Sequence, residues 1–231
     1  MLSYFEKRAT HLRESLEDPS SDWLQTLNTY RQFALVNRLF ARWRHLYVRF
    51  LRPQMTQASV CYTLLDIGFG GGDIPLRLLA WAARDGRRLA ITAIDYSERA
   101  MAAAAQRTWP SNLCFRQTSV SDLRREDRPF DFVISNHVLH ELPQHDLEPF
   151  LDDSAALVRR QIVFNDVARS AWGAVGFALC TGPFLHRSFT VADGIISLRR
   201  AYTLNELRAL APPPWQVESL FPSRLLLTLR K

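Results

Sequence analysis

Two hydrophobic periodicities divide the chain. Over residues 22–51, Leu35, Leu39, Trp43, Leu46, Tyr47 and Phe50 return at helical spacing, which predicts one or two amphipathic helices closed by Pro53. From residue 60 onward, short apolar runs alternate with helical stretches, the pattern of parallel βα units. Strands are expected at 62–67, 89–94, 113–116, 130–135, 161–165, 215–220 and 225–229. Helices are expected around 74–84, 98–107, 146–158 and 203–210, the last opened by a capping box of Thr203 with Glu206. Only Phe221, Pro222 and Ser223 part the last two strands, so these should pair as an antiparallel hairpin at the end of the sheet. The expected fold class is α/β: a seven-stranded, mostly parallel sheet with helices on both faces. Residues 56–231 should form one compact unit and residues 1–55 an N-terminal helical cap, or lid.

Composition narrows the class. With 231 residues, 47% hydrophobic and 23% charged, the chain has the balance of a globular protein and enough length for its own core. Cys61, Cys114 and Cys180 are far apart and never paired as C-x-x-C, so neither a disulfide framework nor a zinc site is expected and a reducing cytoplasm fits. The first ten residues mix Glu6, Lys7 and Arg8 with scattered apolar positions and do not read as a secretory signal. The uncharged stretch 170–186 is interrupted by Gly173, Gly176, Gly182 and Pro183 and falls short of a membrane span. Net charge is +6 and nearly all of the cations are arginine. The one uneven patch lies between Asp22 and Asp66, where no acid occurs and Arg31, Arg38, Arg42, Arg49 and Arg52 stack along one helical face. A solvated face is the plain reading; a weak peripheral contact with an anionic membrane stays open.

Four of the nine glycines fall within five positions, at Gly68, Gly70, Gly71 and Gly72, directly after a strand and before a helix. Glycines there permit a tight turn and close approach of a ligand at the carboxyl edge of a parallel sheet. A dinucleotide fingerprint needs a glycine where Asp73 stands, and no Gly-Lys-Ser/Thr follows to make a phosphate loop. What remains is a loop bracketed by Asp66 and Asp73, suited to a ligand that carries positive charge and no phosphate. Asp95 ends the second strand, 23 residues beyond Gly72, where a carboxylate accepts hydrogen bonds from both ribose hydroxyls. Alone it would read as a cap for the helix near Ser97; beside the glycine loop the ribose reading takes precedence.

With these residues, and with the run Phe130, Asp131, Phe132, Val133, Ile134, Ser135, Asn136, His137, Val138, Leu139, His140, Glu141, Leu142, the chain resembles the class I S-adenosylmethionine-dependent methyltransferases over residues 60–166. The resemblance implies a Rossmann-like fold and S-adenosyl-L-methionine as cofactor. It places the cofactor site at Asp66, Gly68, Gly70, Gly72, Asp73, Asp95, Tyr96, Ser119 and Asn136. Ser119, with Asp122 three places later, stands where many relatives have an acid against the adenine.

The same resemblance puts the acceptor at the end of the fourth strand, where His137 and His140 lie three residues apart. A phenol, of pKa about 10, needs its proton removed or its oxyanion steered, a task suited to histidine. His137 leads because it is nearer the strand end. Asn165, Asp166, Trp172 and His186 are the expected substrate contacts, the last two in a glycine-interrupted, flexible wall suited to an apolar, hydroxylated ligand. The downstream stretch from Asp193 to Thr203 is similar to a segment of relatives that methylate phenolic polyketides or quinol lipids. No metal is expected, since no second set of carboxylates clusters near Asp166.

The expected activity is therefore O-methylation of a small phenol or quinol, without a nucleic-acid partner. Two alternatives stay open. A nucleic-acid methyltransferase would account for the charge, although Asn136-His137-Val138-Leu139 replaces the proline-rich aromatic segment that holds a flipped base. A non-catalytic cofactor-binding module would bind the donor without turnover.

Overall fold

The structure, a computed structural model, describes residues 2–231. After short 3-10 turns at Leu2–Phe5 and Ser15–Glu17 come α1 (Trp23–Phe40) and α2 (Trp43–Leu46), the latter continuing through Tyr47–Leu51. Then follow β1 (Cys61–Ile67), α3 (Asp73–Arg84), β2 (Arg88–Asp95), α4 (Glu98–Ala104), β3 (Leu113–Gln117), α5 (Val120–Arg124) and β4 (Phe130–Asn136). The second half comprises α6 (Leu147–Ala156), β5 (Val158–Val167), α7 (Ala171–Thr181), α8 (Thr190–Arg200), α9 (Leu204–Leu210), β6 (Gln216–Leu220) and β7 (Arg224–Arg230). The sheet runs β3-β2-β1-β4-β5-β7-β6, with β1 to β5 parallel and β7 antiparallel to both β5 and β6.

Strands β1 and β4 are buried along most of their length, which is why they read as apolar runs without alternation. Chain order reverses at β1, flanked by β2 and β4, and such a switch opens a crevice at the carboxyl ends of the strands. Register completes the arrangement. Ile67 lies beside Ile94 and Ser135, and Asn136 beside Asn165, so the chain leaves β1, β2 and β4 on one edge.

The cap and the sheet share a core. Leu46, Tyr47, Leu51 and Met55 have no exposed surface and cluster with Leu64, Phe132, Ile134 and Leu226 on one face of the sheet. Leu65, Val133, Phe164 and Leu227 form the core of the other face.

The helical run expected over 22–51 breaks at Arg42, which takes a left-handed φ of 56°. That break re-phases the apolar arc: Trp43, Leu46 and Tyr47 enter the core, whereas Leu35 and Leu39 are exposed. It also divides the arginine stripe. Arg49 pairs with Glu218 and Arg52 with Asp85, so the basic face drawn for a membrane is not continuous. Among the described residues no helix is long and apolar enough to cross a membrane.

The stretch expected as a flexible wall is helical instead. Ser170 caps α7 through the Gly173 N–H, and α8 packs against it, both unpredicted by periodicity. Helix α7 carries no polar face and buries only Ala174 and Thr181, so it has no amphipathic period to detect. The short α5, capped by Ser119, was likewise unforeseen, and β5 begins at Val158 because α6 already ends at Ala156.

Candidate active site

The turn after β1 is left-handed at Gly68 (φ 75°) and Gly72 (φ 70°), conformations that side chains resist. It is also packed from behind: a Cβ on Gly68 would stand 2.5 Å from Val138 Cγ2, and one on Gly72 2.8 Å from the Trp109 ring. Beneath the turn lie three buried acids. Asp66 is 1% exposed and its Oδ2 has no partner; burial, then the carboxylates of Asp73 and Asp95, push its pKa up to about 8. Asp73 accepts from Asn37 Nδ2 (3.0 Å) through Oδ1, while its Oδ2 is unpartnered; burial raises it too. Asp95 accepts the Gly70 N–H through Oδ2 (3.1 Å) and the Ser97 N–H through Oδ1 (3.0 Å), and burial outweighs these bonds to raise its pKa. Each Asp95 oxygen keeps capacity for one further donor, which is what a ribose diol needs. Orphaned carboxylate oxygens call for donors and positive charge, so these residues fit a cationic nucleoside such as S-adenosylmethionine.

These acids line one end of a cavity of about 1290 Å³. Phe33 of α1 lies over the glycine turn, 3.4 Å from where a Cβ on Gly70 would stand, and Phe40 of α1 with Trp172 and Phe177 of α7 make a further aromatic wall. The Phe40 and Phe177 rings meet edge to face at 5.8 Å. Asn136, His137 and Arg224 form a polar edge of the same cavity.

His137 follows β4 directly with φ 64°, its N–H donating to Asn165 O (3.1 Å). Its Nε2 lies 2.8 Å from Arg224 Nη1. A guanidinium only donates, so Nε2 is the acceptor and the neutral ring carries its proton on Nδ1. Burial, then the charge of Arg224, hold the His137 pKa well below the ordinary value. Arg224, 2% exposed, also donates to Asn165 Oδ1 (2.9 Å), Asn136 Oδ1 (3.0 Å) and Asn165 O (3.1 Å). Burial lowers its pKa to about 10.

His140 is differently placed. Its ring is 1% exposed, with Nδ1 2.7 Å from Asp166 Oδ1 and Nε2 3.2 Å from Glu14 Oε1. Burial alone would lower its pKa, but the two carboxylates outweigh it and raise the value to about 10. Burial likewise opposes ionisation of Asp166, yet the His140 imidazolium holds its carboxyl well below the usual range. Neither His140 nitrogen is left open to an acceptor. Glu141 is pushed up to about 8 by burial and by Glu14.

The structure thus gathers Asp66, Gly68, Gly70, Asp73, Asp95, Tyr96, Ser119 and Asn136 around one cavity, with Tyr96 largely exposed at the rim. Gly72 stands behind the turn, against Trp109 and Phe115. Of the expected substrate contacts only Trp172 lines the cavity. Asn165 is spent on Ala41 O and Arg224, Asp166 on His140, both behind the wall. His186 is exposed and turns its Nε2 to Pro183 O (2.8 Å). Phe177, in the stretch expected as a wall, lines the cavity beside Trp172; sequence reading missed Tyr30, Phe33, Phe40 and Arg224, and a cation opening the apolar run of β7 was the available signal for the last. His137, His140 and Asp166 bring ligand atoms within 4.8 Å of one another, but Arg224 donates to His137 there and His140 carries a proton for Asp166, which leaves a metal ion no lone pairs from the histidines.

Residues 64–161 match a sequence profile described as a methyltransferase domain. No curated protein matches the chain in sequence. Among solved structures, the plantazolicin methyltransferase BpumL in complex with SAH is similar with a TM-score of 0.63 at 16% identity, over 93% of this chain and 90% of that one. Human N-acetylserotonin methyltransferase in complex with SAM is similar at 0.56 and 15% identity, over 89% of this chain and 55% of that one. A DhpI–SAM–HEP complex is similar at 0.52 and 19% identity, over 87% of this chain and 94% of that one. At such identities the likeness shows the fold, the seven-stranded methyltransferase sheet with its antiparallel last hairpin.

Proposed function

We propose that the chain is an S-adenosylmethionine-dependent methyltransferase, in keeping with the methyltransferase-domain match over residues 64–161, and that its acceptor is a small, largely apolar phenol or quinol methylated on oxygen. One observation carries the reading: a single cavity joins the acidic glycine turn to an aromatic wall. Asp95 would hold the ribose hydroxyls, and Asp66 and Asp73 would face the positive charge of the donor. Ser119, at the start of α5, and Tyr96, at the rim, lie toward the nucleoside end. When bound, the cofactor supplies a methyl group on a cationic sulfur, open to in-line displacement.

The protein's part is then alignment and exclusion of water. Phe40, Phe177 and Trp172 would hold the apolar body of the acceptor, and His137 would meet its hydroxyl. His140 is assigned a positioning role, pinning the segment after β4 to Asp166 and Glu14. The test is incubation with S-adenosylmethionine and a panel of alkylresorcinols, quinols and catechols, with S-adenosylhomocysteine and methylated product both measured. Turnover with at least one phenol, unchanged by EDTA, is expected. Donor binding without turnover on any phenol would make the chain a binding module; methylation of an oligonucleotide arm would move it to the nucleic-acid class.

A further inference from the structure

We propose that the acceptor is bound already ionised, as an acidic phenolate or enolate whose oxygen takes a hydrogen bond from His137 Nδ1–H, with Arg224 behind it, so that His137 positions an oxyanion and removes no proton. This rests on the O-methylation reading and names its substrate class more closely.

Two observations meet here. The first is the tautomer. Arg224 fixes His137 Nε2 as an acceptor at 2.8 Å, which leaves Nδ1 as a donor. Nδ1 makes no hydrogen bond among the described residues, yet it is not among the buried unpartnered atoms, and His137 lines the cavity. A free basic nitrogen, the one thing a general base needs, is absent from the ring. The second is the cation itself. Arg224 is buried at the cavity edge, and all four of its hydrogen bonds go to neutral acceptors. Four bonds leave one of its five N–H groups, on Nη1, beside His137. The carboxylates packed nearby, Asp166 from β5 and Glu14 from the N-terminal segment, are both turned onto His140. Glu141 also lines the cavity, and burial and the carboxylate of Glu14 favour its neutral form.

An oxyanion therefore meets a donor polarised by a buried guanidinium, whereas a neutral phenol accepts the same N–H more weakly and finds no acceptor on the ring for its own proton. In the reaction the oxyanion contributes the electron pair of the new C–O bond. The C–S bond breaks with its pair remaining on sulfur, and no proton leaves.

The test uses the purified full chain saturated with S-adenosylhomocysteine and two probes of similar size, 4-nitrophenol and a 4-alkylphenol. Bound nitrophenol is titrated by its phenolate absorbance. An apparent pKa at least one unit below that of free nitrophenol is expected, together with binding at least tenfold tighter than the alkylphenol at neutral pH. His137→Phe should abolish the shift and His137→Gln, which keeps a donor but offers no base, should restore most of it; Arg224→Met is a second variant, with folding followed by circular dichroism. An unshifted titration, preference for the neutral alkylphenol, failure of nitrophenol to bind, or a shift that survives His137→Phe would each overturn the proposal. If the shift appears but no phenol is methylated, the anion site stands and the O-methylation reading fails.

Discussion

Asp66 is the residue whose titration should be felt in cofactor binding. Its pKa of about 8 arises because burial and two neighbouring acids oppose its charge. A cationic donor in the same cavity favours the ionised form, so binding should expel a proton between pH 4 and 8 and affinity should rise with pH across that window. Calorimetry in two buffers of different ionisation enthalpy measures the proton count, and Asp66→Asn should remove it. Asp95→Ala should weaken donor binding by about 1–3 kcal/mol through lost hydrogen bonds to a charged acceptor; unchanged affinity would take Asp95 out of the site. His140 makes the opposite kind of contribution, to stability. Its folded pKa, raised to about 10 from 6.5, means that its pairing stabilises fully below pH 6.5 and is lost as pH rises through 10. His140→Gln should cost about 3–5 kcal/mol near pH 6 by stranding Asp166, with the gap to the parent protein closing toward pH 10 in denaturant titrations.

At the scale of elements, the wall proposed for the acceptor depends on how closely α7, α8 and α1 approach. Gly194 of α8 lies under Phe177, whose ring would be 2.3 Å from a Cβ at that position. The ring is the far end of a side chain that can swing, so Gly194→Ala should fold and push Phe177 toward the cavity and Phe40. Acceptor KM should then rise roughly tenfold, about 1.4 kcal/mol, with donor KM unchanged. Equal effects on both substrates would show that α7 is no acceptor wall.

Across the whole molecule, two parts of the amino-terminal region do different work. Residues 5–22 cross the carboxyl edge of the sheet as a strap held by polar contacts: Arg169 to Phe5 O and Glu6 O, Arg8 to His140 O, Asp193 to the Ser15 and Leu16 N–H groups, and Arg99 to Asp18 O, Pro19 O and Ser21 O. Residues 43–55 are core, and four of their side chains have no exposed surface. Deleting residues 1–20 should therefore leave a folded chain of lower Tm whose turnover falls at least tenfold, because Glu14 leaves His140 and the cavity opens. Deleting residues 1–51 should give no folded protein. Circular dichroism and hydrogen exchange over α8 distinguish the two.

What the sequence determined by itself is what local patterning encodes. Seven strands, the hairpin at 215–229, the Thr203 capping box and the glycine turn between two acids all follow from spacing within a few residues. The same spacing pointed to a cationic nucleoside ligand, since Asp66, Asp73 and Asp95 are each tied to a strand end or a turn. Tertiary structure decided which polar groups meet the cavity. Asn165 and Asp166 were legible as strand-end polar residues, but their partners, Arg224 and His140, lie 59 and 26 residues away and turn both out of the cavity. The two histidines look alike in sequence, three residues apart; enclosure by Glu14 and Asp166 makes one an imidazolium, and a guanidinium from β7 makes the other a neutral donor. Charge state and tautomer depend on what stands within a few ångströms, and only the folded chain brings β7 and the amino-terminal strap to that distance.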